Sequence, residues 1–233
     1  LRSPAFTCHN AQTDEDNPPM AYRLHCFCQS GNAFKVANML NLMGESWEPI
    51  LVDFFGGQTR DPAWRASVNE TGEVPVLEDG PVRLAQSGVM LDYLSTKHGK
   101  FGGRSADERR EILRWILFDN HKFTSYFATY RFMKAFVPQE PDAGAMAFLK
   151  SRADSAFAIV EAHLSRQLFM IGKEPTIADI SMAGYLFYPQ EEHGYDFAAT
   201  HPGIAAWLGR IAAMKGWKGP YETLPGERRA PLR

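Results

Sequence analysis

Residues 22–28 alternate, with Tyr22, Leu24, Cys26 and Cys28 on one side and Arg23, His25 and Phe27 on the other, which predicts a β-strand. Gln29-Ser30-Gly31-Asn32 breaks the alternation. Ala33, Val36, Ala37 and Leu40 then recur at helical spacing as far as Gly44, a residue suited to ending a helix. Residues 47–54 read as a second strand, which completes a βαβ unit, and a short helix is expected between Asp61 and Val68. Val76-Leu77 and residues 82–85 flank an Asp79-Gly80 turn suited to a two-residue hairpin. Ser87, ahead of Met90, Leu91 and Leu94, is expected to cap a helix over residues 88–98 that stops at Gly99.

The pattern changes after residue 99. Residues 100–104 are rich in Gly, Lys and Arg and read as a linker; from there on the periodicity is helical. Ser105 and Glu108 form a capping-box pattern for one long helix through Trp115 and Ile116 to about Val137, stopped by Pro138 and Pro141. A second long helix follows Asp142, with Phe157, Val160, Leu164 and Leu168 on one face. Thr176 and Asp179 form another capping box, and His201-Pro202 opens a last helix through Trp207 and Ile211 to Gly216. The expected division is 20–99, an α/β domain of order βαβ-α-ββα; 100–104, a linker; 105–219, an all-helical domain; and 220–233, a Pro- and Arg-rich tail without assigned chemistry.

Composition narrows the classes. With 45% apolar residues and a net charge of −2 over 233 residues, the chain is an ordinary globular one, without a polybasic or polyacidic run to address nucleic acid or anionic lipid. Its apolar stretches are too short to span a bilayer. Residues 1–19 are polar, carry Asp14, Glu15 and Asp16, and lack the apolar core of a secretory signal; they are expected to be a disordered extension ahead of a natural start at Met20. Three cysteines, Cys8, Cys26 and Cys28, make no disulfide framework and point to a reducing compartment, by default the cytoplasm. The seven histidines fall in no metal-ligand spacing, and no Gly-rich phosphate loop is present, so no metal is expected.

The candidate chemistry lies at two helix starts. The N-terminus after Gln86-Ser87 offers free N–H groups, a partial positive charge, the Ser87 hydroxyl and the Gln86 amide, which together suit a carboxylate. Val74-Pro75 enters the hairpin with a bond that can be cis at low cost, leaving the Val74 backbone free to pair with an extended peptide. Each piece alone fits a ligand-free hairpin and capped helix. The ordered set Val74-Pro75, hairpin, Gln86-Ser87, helix resembles the glutathione site of the glutathione S-transferase family. In that family the proline loop pairs with the cysteinyl backbone of glutathione and the Gln/Glu-Ser pair holds its γ-glutamyl carboxylate. The resemblance covers residues from Tyr22 to about Trp217, and implies a thioredoxin-like N-terminal domain with an all-helical C-terminal domain.

Thioredoxins place a nucleophilic cysteine pair where the first strand meets the first helix. Here that place is Ser30-Gly31-Asn32-Ala33, and Cys26 and Cys28 lie earlier, inside the strand, as packed thiols. Hydroxyl and amide groups in place of a thiol fit a thiol that arrives on glutathione, with Ser30 and Asn32 as donors to the thiolate; a plain polar turn is the competing reading. Ser30-Gly31-Asn32 with Lys35 resembles the Thr-Pro-Asn…Lys pattern of the bacterial Nu class, with Gly31 leaving the loop less rigid than proline does. Gln58, in Gly56-Gly57-Gln58, resembles that class's contact to the glycyl end. The family also implies that the first long helix walls an electrophile pocket, which makes His121, Tyr126 and Tyr130, opposite Phe34, candidates there. The implied function is a cytosolic glutathione transferase acting on a small hydrophobic electrophile or a disulfide. A homodimer is expected, with glutathione as co-substrate and neither nucleic acid nor membrane as partner. A non-catalytic scaffold module of the same fold and a glutathione-dependent isomerase or dehalogenase are the alternatives.

Overall fold

A computed structural model describes residues 21–233; the extension, Cys8 and the start at Met20 lie outside the described residues. Strand β1 covers Tyr22–Cys26, helix α1 Gly31–Met43, strand β2 Trp47–Leu51, helix α2 Pro62–Ser67, strands β3 and β4 Val76–Asp79 and Val82–Ala85, and helix α3 Ser87–His98. The sheet order is β2-β1-β3-β4, with β1 parallel to β2 and antiparallel to β3, and β3 antiparallel to β4. This is the mixed sheet of a thioredoxin-like domain.

Both outer strands of the βαβ unit are shorter than the alternation predicts. Strand β1 ends at Cys26 because the Ser30 N–H turns back to the Phe27 carbonyl at 3.1 Å. Strand β2 ends at Leu51 because the Phe54 N–H bonds the Val52 carbonyl at 2.8 Å, folding residues 53–57 into a turn. In the hairpin Asp79 pairs with Val82, so the turn residues are Gly80 and Pro81 rather than Asp79 and Gly80; Gly80 takes the positive φ of 57° that the turn needs.

The helical domain comprises α4 Ala106–Phe118, α5 Thr124–Phe136, α6 Ala143–Leu164, α7 Ile177–Ala183, the short helices α8 Gln190–His193 and α9 Phe197–Thr200, α10 Pro202–Ala212, and α11 Pro220–Thr223. The predicted single helix through residue 137 is interrupted. Asp119–Phe123 winds as one wider π-helical turn between α4 and α5. An inserted residue of this kind rotates every later side chain by roughly 100° about the axis, so the face that α5 presents is not the one an unbroken helix shows. Leu168 lies past the end of α6 and is exposed instead of continuing its apolar face.

A continuous apolar core joins the two domains, from Leu24, Phe34 and Leu40 under the sheet to Phe123, Phe157 and Trp207 among the helices. One buried ion pair crosses the same boundary. Lys35 Nζ of α1 meets Asp119 Oδ2 at 2.8 Å, with the Ser181 hydroxyl donating to that oxygen at 2.6 Å and the Thr124 hydroxyl to the other. Within the helical domain Arg131 of α5 pairs with Glu192 of α8, which also accepts from the Tyr221 hydroxyl at 2.6 Å, and this pair holds Arg131 where it reaches across to the Gln29 carbonyl. Removing one partner of such a pair strands a buried charge and costs about 3–5 kcal/mol, so the two domains are held in one relative position.

Candidate functional site

The turn at residues 29–32 is fixed from behind by the helical domain. Arg131 Nη1 donates to the Gln29 carbonyl at 2.9 Å while its guanidinium lies 3.7 Å from the Tyr188 ring centre. Ser30 caps α1, its Oγ accepting from the Ala33 N–H at 3.2 Å, which leaves its own proton free to point into the cleft. Asn32 sits in the first helical turn with its Oδ1 buried and unbonded among the described residues. The first turn of α1 carries no acidic residue, so the positive end of the helix is not neutralised locally.

The second helix start faces the first across a cleft of about 340 Å³. Gln86 holds a positive φ of 69°, a strained geometry for a non-glycine residue that costs on the order of 1–3 kcal/mol. It, rather than Ser87, occupies the cap position of α3, and Ser87 is the first helical residue. Freed from capping, the Ser87 hydroxyl has no protein partner among the described residues, and the Gln86 amide donates to Glu73 at 2.7 Å. The Val74-Pro75 bond is cis, and Val74 lines the cleft beside Glu73 and Gly72.

Ser30, Asn32, Val74, Pro75, Gln86 and Ser87 therefore line one cleft. Gln58 does not join them: it is exposed, and its Oε1 accepts from the Asp53 N–H at 2.7 Å, closing the turn after β2. Phe34 is fully buried in the core, edge-on to Phe187. His121 is exposed on the π turn and does not line the cleft. Tyr126 packs edge-on against Phe148 of α6, and Tyr130 packs against Tyr195. From α5 it is Ala128, Thr129, Phe132 and Phe136 that face the cleft instead.

The wall opposite the polar groups is aromatic. Phe27 stacks on Phe54 at 4.7 Å between ring centres, and Phe55 meets Phe132 at 6.3 Å and Phe136 at 5.9 Å. The adjacent Phe54-Phe55 and the i, i+4 pair Phe132 and Phe136 carried a usable signal in the sequence. Arg131 and Tyr185 carried none, since their roles depend on contacts across the domain boundary. Tyr185 shows what Gly31 does: a Cβ there would stand 2.4 Å from the Tyr185 ring. Gly31 is thus a point of close approach, not simply a looser substitute for proline.

Neither Cys26, at the end of β1, nor Cys28, in the turn after it, lines the cleft. Burial pushes the Cys26 thiol up to about 12 and raises Cys28 as well, so both are poor nucleophiles. Among the described residues no cluster of His, Cys, Asp and Glu could hold a metal, and no helix is long and apolar enough to cross a membrane.

A thioredoxin-like domain docked on a helical one, with polar groups from two helix starts and a cis-proline loop facing a shared aromatic cleft, defines a class of two-domain thioredoxin-like proteins. Comparison with known proteins makes it specific. The N-terminal domain model of glutathione S-transferases matches residues 24–105, and the C-terminal domain model matches residues 143–210. A glutathione S-transferase from Pseudomonas fluorescens is 30% identical, with a TM-score of 0.77 over 85% of this chain and 98% of that one. A glutathione S-transferase of Arabidopsis thaliana is 24% identical over 91% of this chain and 89% of its own length. A glutathione transferase of Phanerochaete chrysosporium, solved with oxidized glutathione, shares the fold at a TM-score of 0.78 and 24% identity, covering 89% of this chain and 96% of that one. The chain belongs to the glutathione S-transferase family.

Proposed function

We propose that the cleft binds glutathione and stabilises its thiolate for attack on a small apolar electrophile. The observation that carries this reading is the convergence of uncommitted polar groups on one cleft: the Ser87 hydroxyl at the start of α3, the Val74 backbone, and Ser30 and Asn32 at the start of α1. Ser87 and the α3 N-terminus receive the γ-glutamyl carboxylate, Val74 pairs with the cysteinyl backbone, and Ser30 donates to the sulfur with Asn32 beside it. Each unit by which the site lowers the thiol pKa is worth about 1.4 kcal/mol of thiolate stabilisation. The electrophile lies against Phe54, Phe55, Phe132 and Phe136, which favours aromatic substrates.

Ser30-Gly31-Asn32 with Lys35 supports a bacterial enzyme near the Nu class. On that reading, glutathione-dependent disulfide reduction is the second reaction to assay. A homodimer is supported by the open groove of about 1330 Å³ between α3 and α4, where Val89, Leu113 and Leu117 stand exposed. The free, buried Cys26 and Cys28 fit a reducing compartment such as the cytoplasm.

The test is a calorimetric titration of reduced glutathione into the protein and into Ser87→Ala. A carboxylate that loses one charge-assisted hydrogen bond binds about tenfold more weakly, while the melting temperature stays near that of the parent because Ser87 caps nothing. Absence of binding to the parent protein overturns the reading. It would favour a scaffold role for the fold.

A further inference from the structure

Tyr185 lies just beyond α7, outside every role assigned above, yet it lines the cleft with Ser30 and Asn32. Two glycines put it there. The ring rests on Gly31, where any Cβ would stand 2.4 Å from its carbons, and Gly184 brings the end of α7 onto α1, with room for no Cβ beside Lys35 and the Gly31 carbonyl. The ring is thus held at the N-terminus of the helix whose first residues face the cleft. Lys35 Nζ and Arg131 Cζ each lie 5.9 Å from the ring centre, and Tyr188 packs at 6.2 Å.

Burial is the largest influence on the phenol and raises its pKa, while the Arg131 charge and the nearby Asn32 and Gly31 backbone groups oppose that rise and Asp119 adds to it. A phenol of raised pKa keeps its proton at neutral pH. Tyr185 lines the cleft and its hydroxyl has no acceptor among the described residues, so its proton is free to point into the cleft.

We propose that Tyr185 is a catalytic residue of the helical domain, its O–H donating to the glutathione sulfur alongside Ser30. This rests on the glutathione reading of the cleft. The phenol keeps its proton throughout. The thiol proton leaves to solvent, and the thiolate sulfur is held by two hydroxyl donors, one from each domain. With 1-chloro-2,4-dinitrobenzene as probe, the sulfur lone pair forms the S–C bond, the C–Cl bond breaks, and chloride carries away its electron pair. Two donors at one sulfur also tie ionisation to domain docking, because Tyr185 reaches the site only while α7 is seated on α1.

The experiment follows the ultraviolet absorbance of the bound thiolate against pH in the parent protein and in Tyr185→Phe, with kcat and KM for the probe measured on both. The expected result is a bound-thiol pKa higher by about one unit in Tyr185→Phe, with kcat about tenfold lower at neutral pH and the KM for glutathione within about twofold. A purely packing role moves neither the midpoint nor kcat, because phenylalanine fills the same shelf over Gly31. An unchanged midpoint in Tyr185→Phe therefore overturns the proposal while leaving the glutathione site standing. If Tyr185→Phe does not fold, Tyr185→Met fills the shelf without a donor and is read in the same way. A parent protein that shows no thiolate band and no glutathione binding brings down the reading of the cleft itself, and this proposal with it.

Discussion

The N-termini of α7 and α1 begin alike, with a hydroxyl residue capping a helix packed between the domains, and end in opposite states. At α7, Thr176 caps through its Oγ1, and Asp179 Oδ2 accepts from the Thr176 N–H at 2.8 Å and hydroxyl at 3.0 Å. The other oxygen accepts from the Met170 N–H at 2.7 Å and from Trp207 Nε1 at 2.9 Å. Asp179 is fully buried and all its bonding capacity is taken by the protein. At α1, Ser30 makes a single capping bond and Asn32 Oδ1 is unbonded among the described residues. Buried polar groups in native proteins are nearly always paired, so a saturated cluster marks structure and an unsaturated one beside a cleft marks a place for a ligand.

The comparison can be broken most directly at Asp179. Asp179→Ala removes the acceptor for four donors and leaves Met170, Thr176 and Trp207 with unmet groups, for an expected loss of about 4 kcal/mol or more, read as a collapsed urea midpoint. A loss below about 1 kcal/mol would mean that the saturated cluster is not what holds this region.

His193 belongs to the saturated kind and sharpens the contrast through pH. Its Nε2–H faces the Tyr188 carbonyl at 3.0 Å and its Nδ1 accepts from the Tyr195 N–H at 3.1 Å, a pairing that only the neutral ring satisfies. Burial lowers its pKa from 6.5 to about 4. The unfolded chain therefore binds the proton first. Stability is full above about pH 6.5 and falls as the pH drops towards 4, by about 3 kcal/mol. Thermal melts across that window should show the slope in the parent and a flatter one in His193→Gln; equal slopes would assign the acid loss to other groups.

Ser30→Ala is the smallest perturbation of the fold and the most telling for function. Loss of its cap costs about 1 kcal/mol of stability, whereas loss of a donor to the reacting sulfur lowers kcat about a hundredfold, or about 2.7 kcal/mol. A fall in stability with kcat intact would place Ser30 with Thr176, as a structural cap.

Much of this architecture was legible along the chain because it is local. The N-caps at Ser105, Asp142 and Thr176, the hairpin before α3 and the glycine stops at Gly44 and Gly99 each depend on a few neighbouring residues. The gathering of Val74, Pro75, Gln86 and Ser87 was legible for the same reason: one short hairpin and one helix start hold all four. The electrophile candidates were not. Tyr126 and Tyr130 pack against Phe148 and Tyr195, and the π turn at Asp119–Phe123, which sets the face that α5 turns to the cleft, has no local signal in the chain. Asp119 opens that turn and is held by Lys35, Thr124 and Ser181, partners separated from it by up to 84 positions.

The sequence by itself determined the elements, their order and the two helix starts where polar groups collect, since periodicity, capping and turn chemistry act over a few residues. Tertiary structure alone decided which of those polar groups remain unspent. Whether a hydroxyl is consumed, as at Thr176, or left facing a cleft, as at Ser30 and Ser87, depends on what distant chain is packed against it. The seat of Tyr185 on Gly31 was decided in the same way, by two glycines far apart in sequence that let two domains approach more closely than side chains would allow.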